Sequence, residues 1–298
     1  MAVSIRPINP SQPGFAGEVS GCDLTQPLDR AAVAAIEAGM DKYAVLVIHD
    51  QKISDEQQMA FTRNFGTLEH TGAGNITKPH ELRLQPEMID VSNLDRDHKP
   101  LPLDDRRRMF NLGNRLWHSD SSFKAIPAKY SLLSGRTTVD KGGNTEFADM
   151  RAAYDALDAE TKAEIEDLIC EHSLIHSRGK LGFTELTAEE KKKFTPVRQR
   201  LVRSHPVSGR KSLYLSSHIG TIIGWLTPEA RAFLQDLTDH ATQPQFVHIH
   251  KWRQYDFVIW DNRQTMHRVR RFDETLVRDM RRTTVASDAP TTEQVQAA

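Results

Sequence analysis

The second half of the chain is broken into short β-branched and aromatic runs: Tyr130–Leu133, Leu201–Arg203, Leu213–Leu215, Phe246–Trp252, Phe257–Trp260 and Arg281–Val285. Each suits one strand, and helical stretches fall between them. No repeat of 30–50 residues links them, so the pattern points to a β-barrel or sandwich with helical additions rather than a solenoid or a doubly wound sheet. Neither a Gly-x-Gly-x-x-Gly nor a phosphate-loop motif occurs, which also argues against a nucleotide-binding fold.

Ahead of these runs, a helix is expected from about Asp29 to Lys42, leading into the apolar strand Ala44–His49. Ser54-Asp-Glu-Gln57 reads as a capping box opening a helix through Phe65, with Gly66 placed to end it. Further helices are expected over Met150–Leu157 and Asp158–Cys170, and starting at Thr187 and at Thr227-Pro228. Between Thr71 and Arg108 glycines and prolines scatter among polar residues, with one strand near Met88–Val91. Such a long irregular stretch inside a domain is usually functional, and we read 71–108 as an active-site lid. The polar tail 287–298 is expected to fray.

Composition removes several function classes. Thirty-nine basic against forty acidic residues leave a net charge of −1, so no global field draws the chain to nucleic acid or to an anionic membrane. No apolar run approaches the length of a spanning helix, and the first residues lack the apolar core of a signal peptide. Only Cys22 and Cys170 are present, too few for a disulfide framework, and a cytoplasmic location is the expectation.

The chemistry concentrates in two places. In Trp117-His118-Ser119-Asp120, a strand would project His118 and Asp120 to the same side, offering an imidazole and a carboxylate to a divalent metal. A third ligand would complete the 2-His-1-carboxylate face associated with non-haem Fe(II) oxygenases. His267 follows the buried run Phe257-Val-Ile-Trp260-Asp-Asn262 and is the natural candidate. Alone, His-x-Asp is a weak signal, equally a His–carboxylate pair on a strand. Farther on stand Arg278 and Arg282. A 2-oxo acid supplying electrons to such an iron would need its distant carboxylate clamped, and a guanidinium does this bidentately. Arg278 is the candidate clamp, and Thr145 in Gly142-Gly-Asn-Thr145 could add a hydroxyl. Read blandly, the arginines near 270–282 are a solvated face, Trp260 is a core aromatic and Thr145 ends a turn.

Taken together, His118-x-Asp120, Gly142-Gly-x-Thr145, Trp260-Asp-Asn262, His267-Arg268, Arg278 and Arg282 resemble the signature of the TauD/TfdA family of Fe(II)/2-oxoglutarate-dependent dioxygenases. The likeness runs from Val19 to Thr284. Met40–Val47, Asn111–Ser122 and His240–Pro244 resemble the 2,4-dichlorophenoxyacetate dioxygenases more than the taurine enzymes. The resemblance implies one domain over 1–298 folded as a double-stranded β-helix, or jelly roll. It implies His118, Asp120 and His267 as iron ligands, and 2-oxoglutarate held by Arg278 and Thr145 with Trp260 alongside. Arg282 would face the substrate's acidic group, Asn114 would line the pocket, and His70, Lys78 and His218 are carried as further substrate contacts. His205 is a weaker candidate for the same pocket.

The implied reaction is oxygen-dependent hydroxylation of a small carboxylate, an aryloxyacetate above all. The hydroxylated carbon then collapses to a phenol and glyoxylate, with succinate and CO2 as co-products, a chemistry suited to herbicide degradation. Relatives make a homo-oligomer the expectation. The alternatives are the same chemistry on a sulfonate or alkyl sulfate, a zinc-dependent hydrolase using the same three ligands, and an anion-binding sensor without turnover. His248 and His250, with no carboxylate apparent in the sequence beside them, are read as packing residues, and Lys191–Lys193 as a solvated helix face.

Overall fold

Strands here alternate their side chains between two apolar layers, and that alternation builds the molecule. In the computed structural model, which describes residues 2–70 and 75–293, a seven-stranded sheet has at its centre Val45–Ile48, Phe257–Asp261, Ala128–Thr137 and Asp279–Ala286. Leu46, Ile48, Leu132, Phe257 and Ile259 point outward into a layer with Ile36, Met40, Phe61 and Phe65. Val45, Val47, Leu133, Val258, Trp260 and Met280 point inward against Phe147. A sheet apolar on both faces must be covered on both, which explains why these runs read as unbroken hydrophobic stretches.

Phe147 belongs to the opposing sheet, where Thr145–Asp149 lies between Val247–His250 and Thr265–Val269. Its outer residues Ala148 and Met266 are capped by Ala230, Leu234, Leu237 and Ala241 of the helix Thr227–Ala241, spaced for one helical face. All pairings are antiparallel except Gly17–Ser20 against Val45–Ile48. Two facing sheets with helices outside make the jelly roll expected from the sequence.

The capping signals fold as read. Asp29 caps the helix Arg30–Tyr43, and Ser54 and Gln57 form their reciprocal box ahead of Asp55–Thr62. The chain then turns at Gly66, whose φ of +138° disfavours any side chain. Elsewhere the structure corrects the expectation. The helix placed over Asp158–Cys170 stops at Ile165, and Ile169–His172 is a strand between Val197–Arg200 and Ile219–Ile222. A short apolar run such as Leu168-Ile-Cys170 does not distinguish the two by period. His118 and Asp120 do not share a strand: His118 makes an isolated bridge and Asp120 begins a turn whose next residue, Ser121, has φ +53°. Thr145–Asp149 and Thr265–Val269, read as motifs only, are strands.

The tail docks at least to Thr291, which is buried, donates to Oε1 of Gln199 at 2.6 Å and accepts from the amide of Arg200. Residues 294–298 of the expected frayed tail, and 71–74 at the start of the lid, lie outside the described residues. The rest of the lid holds little regular structure: a single turn at Pro79–Glu81, the two-residue strand Ile89–Asp90 and, at its end, the start of the helix Arg106–Asn111. No helix among the described residues is long and apolar enough to cross a membrane.

Candidate metal and co-substrate centre

An isolated bridge, the middle of a strand and one turn bring the site together. His118 and His267 exchange both backbone hydrogen bonds, at 3.0 and 2.8 Å, so their side chains stand as cross-strand neighbours with ring centroids 4.2 Å apart. Asp120 reaches the same place from the turn: Oδ1 lies 3.8 Å from Nε2 of His118 and Oδ2 lies 3.6 Å from Nε2 of His267. The ligand atoms of the three lie within 4.8 Å of one another, and all three residues are buried.

Several contacts fix this geometry. Asn262 accepts from the amide of Asp120 at 3.0 Å and from Trp260 Nε1 at 3.1 Å, and donates to Ser131 Oγ at 2.9 Å. The Ser131 hydroxyl donates in turn to Oδ2 of Asp120 at 2.7 Å. Arg282 donates to Oδ1. Asn262 stood in the sequence signature without a role, and nothing local marked Ser131.

The donor set fits a divalent metal. Nδ1 of His118 lies 2.8 Å from the Leu116 carbonyl oxygen, which accepts only, so this nitrogen carries the proton and Nε2 keeps its lone pair. Burial lowers the pKa of His118 and drives that of His267 well below the usual histidine value, leaving both rings in the neutral form that ligates. Burial alone would raise the Asp120 carboxyl, yet the Arg282 charge and the hydrogen bond from Ser131 hold it below the ordinary range.

Beside this cluster lies a small cavity lined by Thr145, Trp260, His267, Arg278 and Arg282. Gly142 and Gly143, at φ +76° and +65°, let the backbone turn there; a Cβ on Gly142 would sit 2.1 Å from the Arg271 carbonyl oxygen. The Gly143 carbonyl accepts from Arg278 Nη2 at 3.2 Å, and Asn93 accepts from the Arg278 amide. Arg278 is buried without a carboxylate partner among the described residues, and burial pulls its guanidinium down to about 10, still charged at neutral pH. Thr145 Oγ1 accepts from Trp252 Nε1 at 2.9 Å, which leaves its hydroxyl proton to donate.

A larger pocket opens on the other side of His118 and Asp120. Asn114, His218 and Arg282 line it, and the lid supplies much of its wall through Thr77, Leu82, Leu84 and Met88. The structure does not bring His70 or Lys78 there; both are exposed. His205 is turned instead to a buried corner, 3.5 Å from Asp261 and 3.0 Å from Arg263. His250 has a carboxylate after all, Asp256 at 3.2 Å, which His49 also meets at 2.6 Å.

Comparison with known proteins follows this geometry. Residues 5–284 match the model of the taurine catabolism dioxygenase TauD, TfdA family. The chain is 42% identical over 281 residues to the alpha-ketoglutarate-dependent 2,4-dichlorophenoxyacetate dioxygenase of Cupriavidus pinatubonensis, covering 94% of this chain and 98% of that one. It is 35% identical to the (S)-phenoxypropionate/alpha-ketoglutarate-dioxygenase of Delftia acidovorans, covering 92% of each. A crystal structure of AAD-2 in complex with Mn(II) and N-oxalylglycine is 62% identical, with a TM-score of 0.94 over 98% of this chain and all of that one.

Proposed function

The chain belongs to the TauD/TfdA family of Fe(II)- and 2-oxoglutarate-dependent dioxygenases, and on that premise we propose that it hydroxylates an aryloxyacetate such as 2,4-dichlorophenoxyacetate. The observation that carries the substrate class is the 42% identity, over nearly both full chains, to an enzyme of that name. The bound ferrous ion and oxoacid supply the oxygen-activating chemistry, in which 2-oxoglutarate loses CO2 to become succinate while a substrate C–H gains a hydroxyl.

The chain's own residues hold, orient and exclude water. His118, Asp120 and His267 would hold the metal, and Asn262 and Ser131 keep the carboxylate aimed. Arg278, charged and lacking a counter-ion, takes the distal carboxylate of 2-oxoglutarate bidentately, with Thr145 donating a hydrogen bond beside it and Trp260 packing nearby. The aryl ring lies in the larger pocket near Asn114, His218, Phe110 and Phe123. There the carbon between ether oxygen and carboxylate is presented to the metal face. Once hydroxylated, that carbon is a hemiacetal and falls apart to a phenol and glyoxylate. The lid closes the pocket from one side and keeps water from the reacting carbon.

The whole chain reads as one domain, working as a homo-oligomer in the cytoplasm on a small acid, with no nucleic-acid or membrane partner. The test is succinate and phenol formation under air with ferrous iron, 2-oxoglutarate and a panel of phenoxyacetate, taurine and an alkyl sulfate. Preference for the phenoxyacetate supports the proposal. Preference for either sulfur acid overturns the substrate, and zinc-supported turnover without oxygen would put a hydrolase in its place.

A further inference from the structure

Five cationic side chains line the larger pocket, and four of them are already neutralised. Arg83 pairs with Asp90 and Asp279, Arg107 with Asp105, Lys124 with Glu69, and Arg282 with Asp120. The fifth, Arg178, has no carboxylate within ion-pair distance among the described residues. It comes from the short helix Leu174–Gly179, and its burial is nearly complete.

The guanidinium is held as a plane. Its carbon sits 4.5 Å over the Phe110 ring, and the other side presses on Gly113, where a Cβ would lie 2.2 Å from Nη1 and 2.3 Å from the guanidinium carbon. Only Nη1 finds a partner, Ser177 Oγ at 3.2 Å, and Nε is buried with none. Nothing offsets the burial, which pulls the group down to about 10 and leaves it charged at neutral pH. A buried cation in this condition is costly to the free protein, and an anion entering the pocket relieves it.

The neighbouring groups do not compete for that role. The Ser177 hydroxyl donates to the Leu174 carbonyl at 2.9 Å, so its oxygen is left to accept from both Arg178 and Nδ1 of His218 at 2.8 Å. Burial keeps His218 neutral, and with its proton on Nδ1 the Nε2 atom is an acceptor that cannot hold a carboxylate. Arg282 donates to Asp120, whereas Arg178 meets no carboxylate among the described residues.

We propose that Arg178 binds the substrate's carboxylate, as a second guanidinium beside the Arg282 that the resemblance assigns to that task. The inference rests on the dioxygenase reading and makes it more specific. Two unpaired buried guanidiniums then divide the labour across the metal face, Arg278 for the oxoacid and Arg178 for the acid to be oxidised. A planar carboxylate suits the flat fork of Arg178, and the adjoining Phe110 and Phe123 suit an aryl group.

The experiment compares wild type with Arg178→Met and Arg178→Lys. For Arg178→Met, the KM for phenoxyacetate rises about a hundredfold, by more than kcat falls, with the half-saturating 2-oxoglutarate concentration staying near its wild-type value. The preference for phenoxyacetate over neutral phenoxyacetamide collapses, and Arg178→Lys restores part of it. The melting temperature of the metal-free Met variant does not fall, because an uncompensated buried charge has been removed. An unchanged preference for the acid, or a raised 2-oxoglutarate requirement in its place, overturns the assignment. Calorimetric binding of phenoxyacetate to Mn(II)- and 2-oxoglutarate-loaded protein without oxygen judges Arg178 even if turnover fails. Equal binding by wild type and Met variant sinks the inference alone. Absence of succinate from every acid under air sinks the functional reading alone.

Discussion

The corner built on Asp261 and the cavities beside His118 hold the same kinds of group at similar depth, yet one is closed on itself and the other is not. Asp261, fully buried, accepts from Arg263 Nε at 2.9 Å, from Arg263 Nη2 at 2.7 Å and from Gln264 at 2.8 Å, with His205 close by. Arg151 makes the same fork to Asp149. Arg178 and Arg278 make no such contact. A complete buried pair is a structural element that gains little from a visitor, whereas an incomplete one costs stability until a ligand of opposite charge arrives. Buried charge therefore separates scaffold from site here by its partners, not by its depth.

The largest effect tests the closed side. Arg263→Met strands Asp261 and should lower stability by about 3–5 kcal/mol, a fall of roughly 10 °C in Tm by calorimetry; the comparison breaks if the loss is no greater than for Arg278→Met. On the open side, Arg278→Met should raise the half-saturating 2-oxoglutarate concentration by about 10- to 100-fold in a succinate assay, while metal-free Tm does not drop. An effect of similar size belongs to the scaffold under the ligands. Asn262→Ala should weaken metal binding by about 10- to 100-fold, read by competition with a chelating dye, because Asp120 loses its aim and not its charge.

The last expected effect concerns a buried carboxylate held by two arginines. Burial alone would raise the Asp279 carboxyl, but hydrogen bonds from Arg83 and Arg281 hold it at about 2. A carboxyl depressed in the folded state contributes stability above its unfolded pKa, near 4, and loses it as pH falls through about 2. The difference in unfolding free energy between wild type and Asp279→Asn should thus be about 2 kcal/mol at pH 6 and shrink steadily from pH 4 to pH 2. A constant difference over that window would mean that the network does not depend on charge.

What the sequence disclosed and what it concealed divide along the same line. The capping box at Ser54, the helix start at Thr187 and the unbroken apolar runs at Val45 and Phe257 are local signals, and they folded as read. His118, Asp120 and His267 could be singled out because their residue types and order suit a metal face, although Asp120 sits in a turn rather than a strand. Arg178 could not be found that way. Its meaning lies in lacking a partner, and whether a charge has a partner is a property of packing across the fold. Asn262 and Ser131 were hidden for a related reason, since each acts through atoms far away in sequence. Ile169–His172 defeated the reading differently, a short apolar run that either period fits.

The backbone bridge between His118 and His267 has a consequence for biosynthesis. Residues from the middle of the chain and from its far end must pair, His118 against the strand Thr265–Val269, before three ligands face one ion. A chain still emerging from the ribosome presents at most the His118–Asp120 fragment, a poor chelator. The ligand set is therefore a product of tertiary folding: it exists only where the His118 bridge to the strand of His267 has formed.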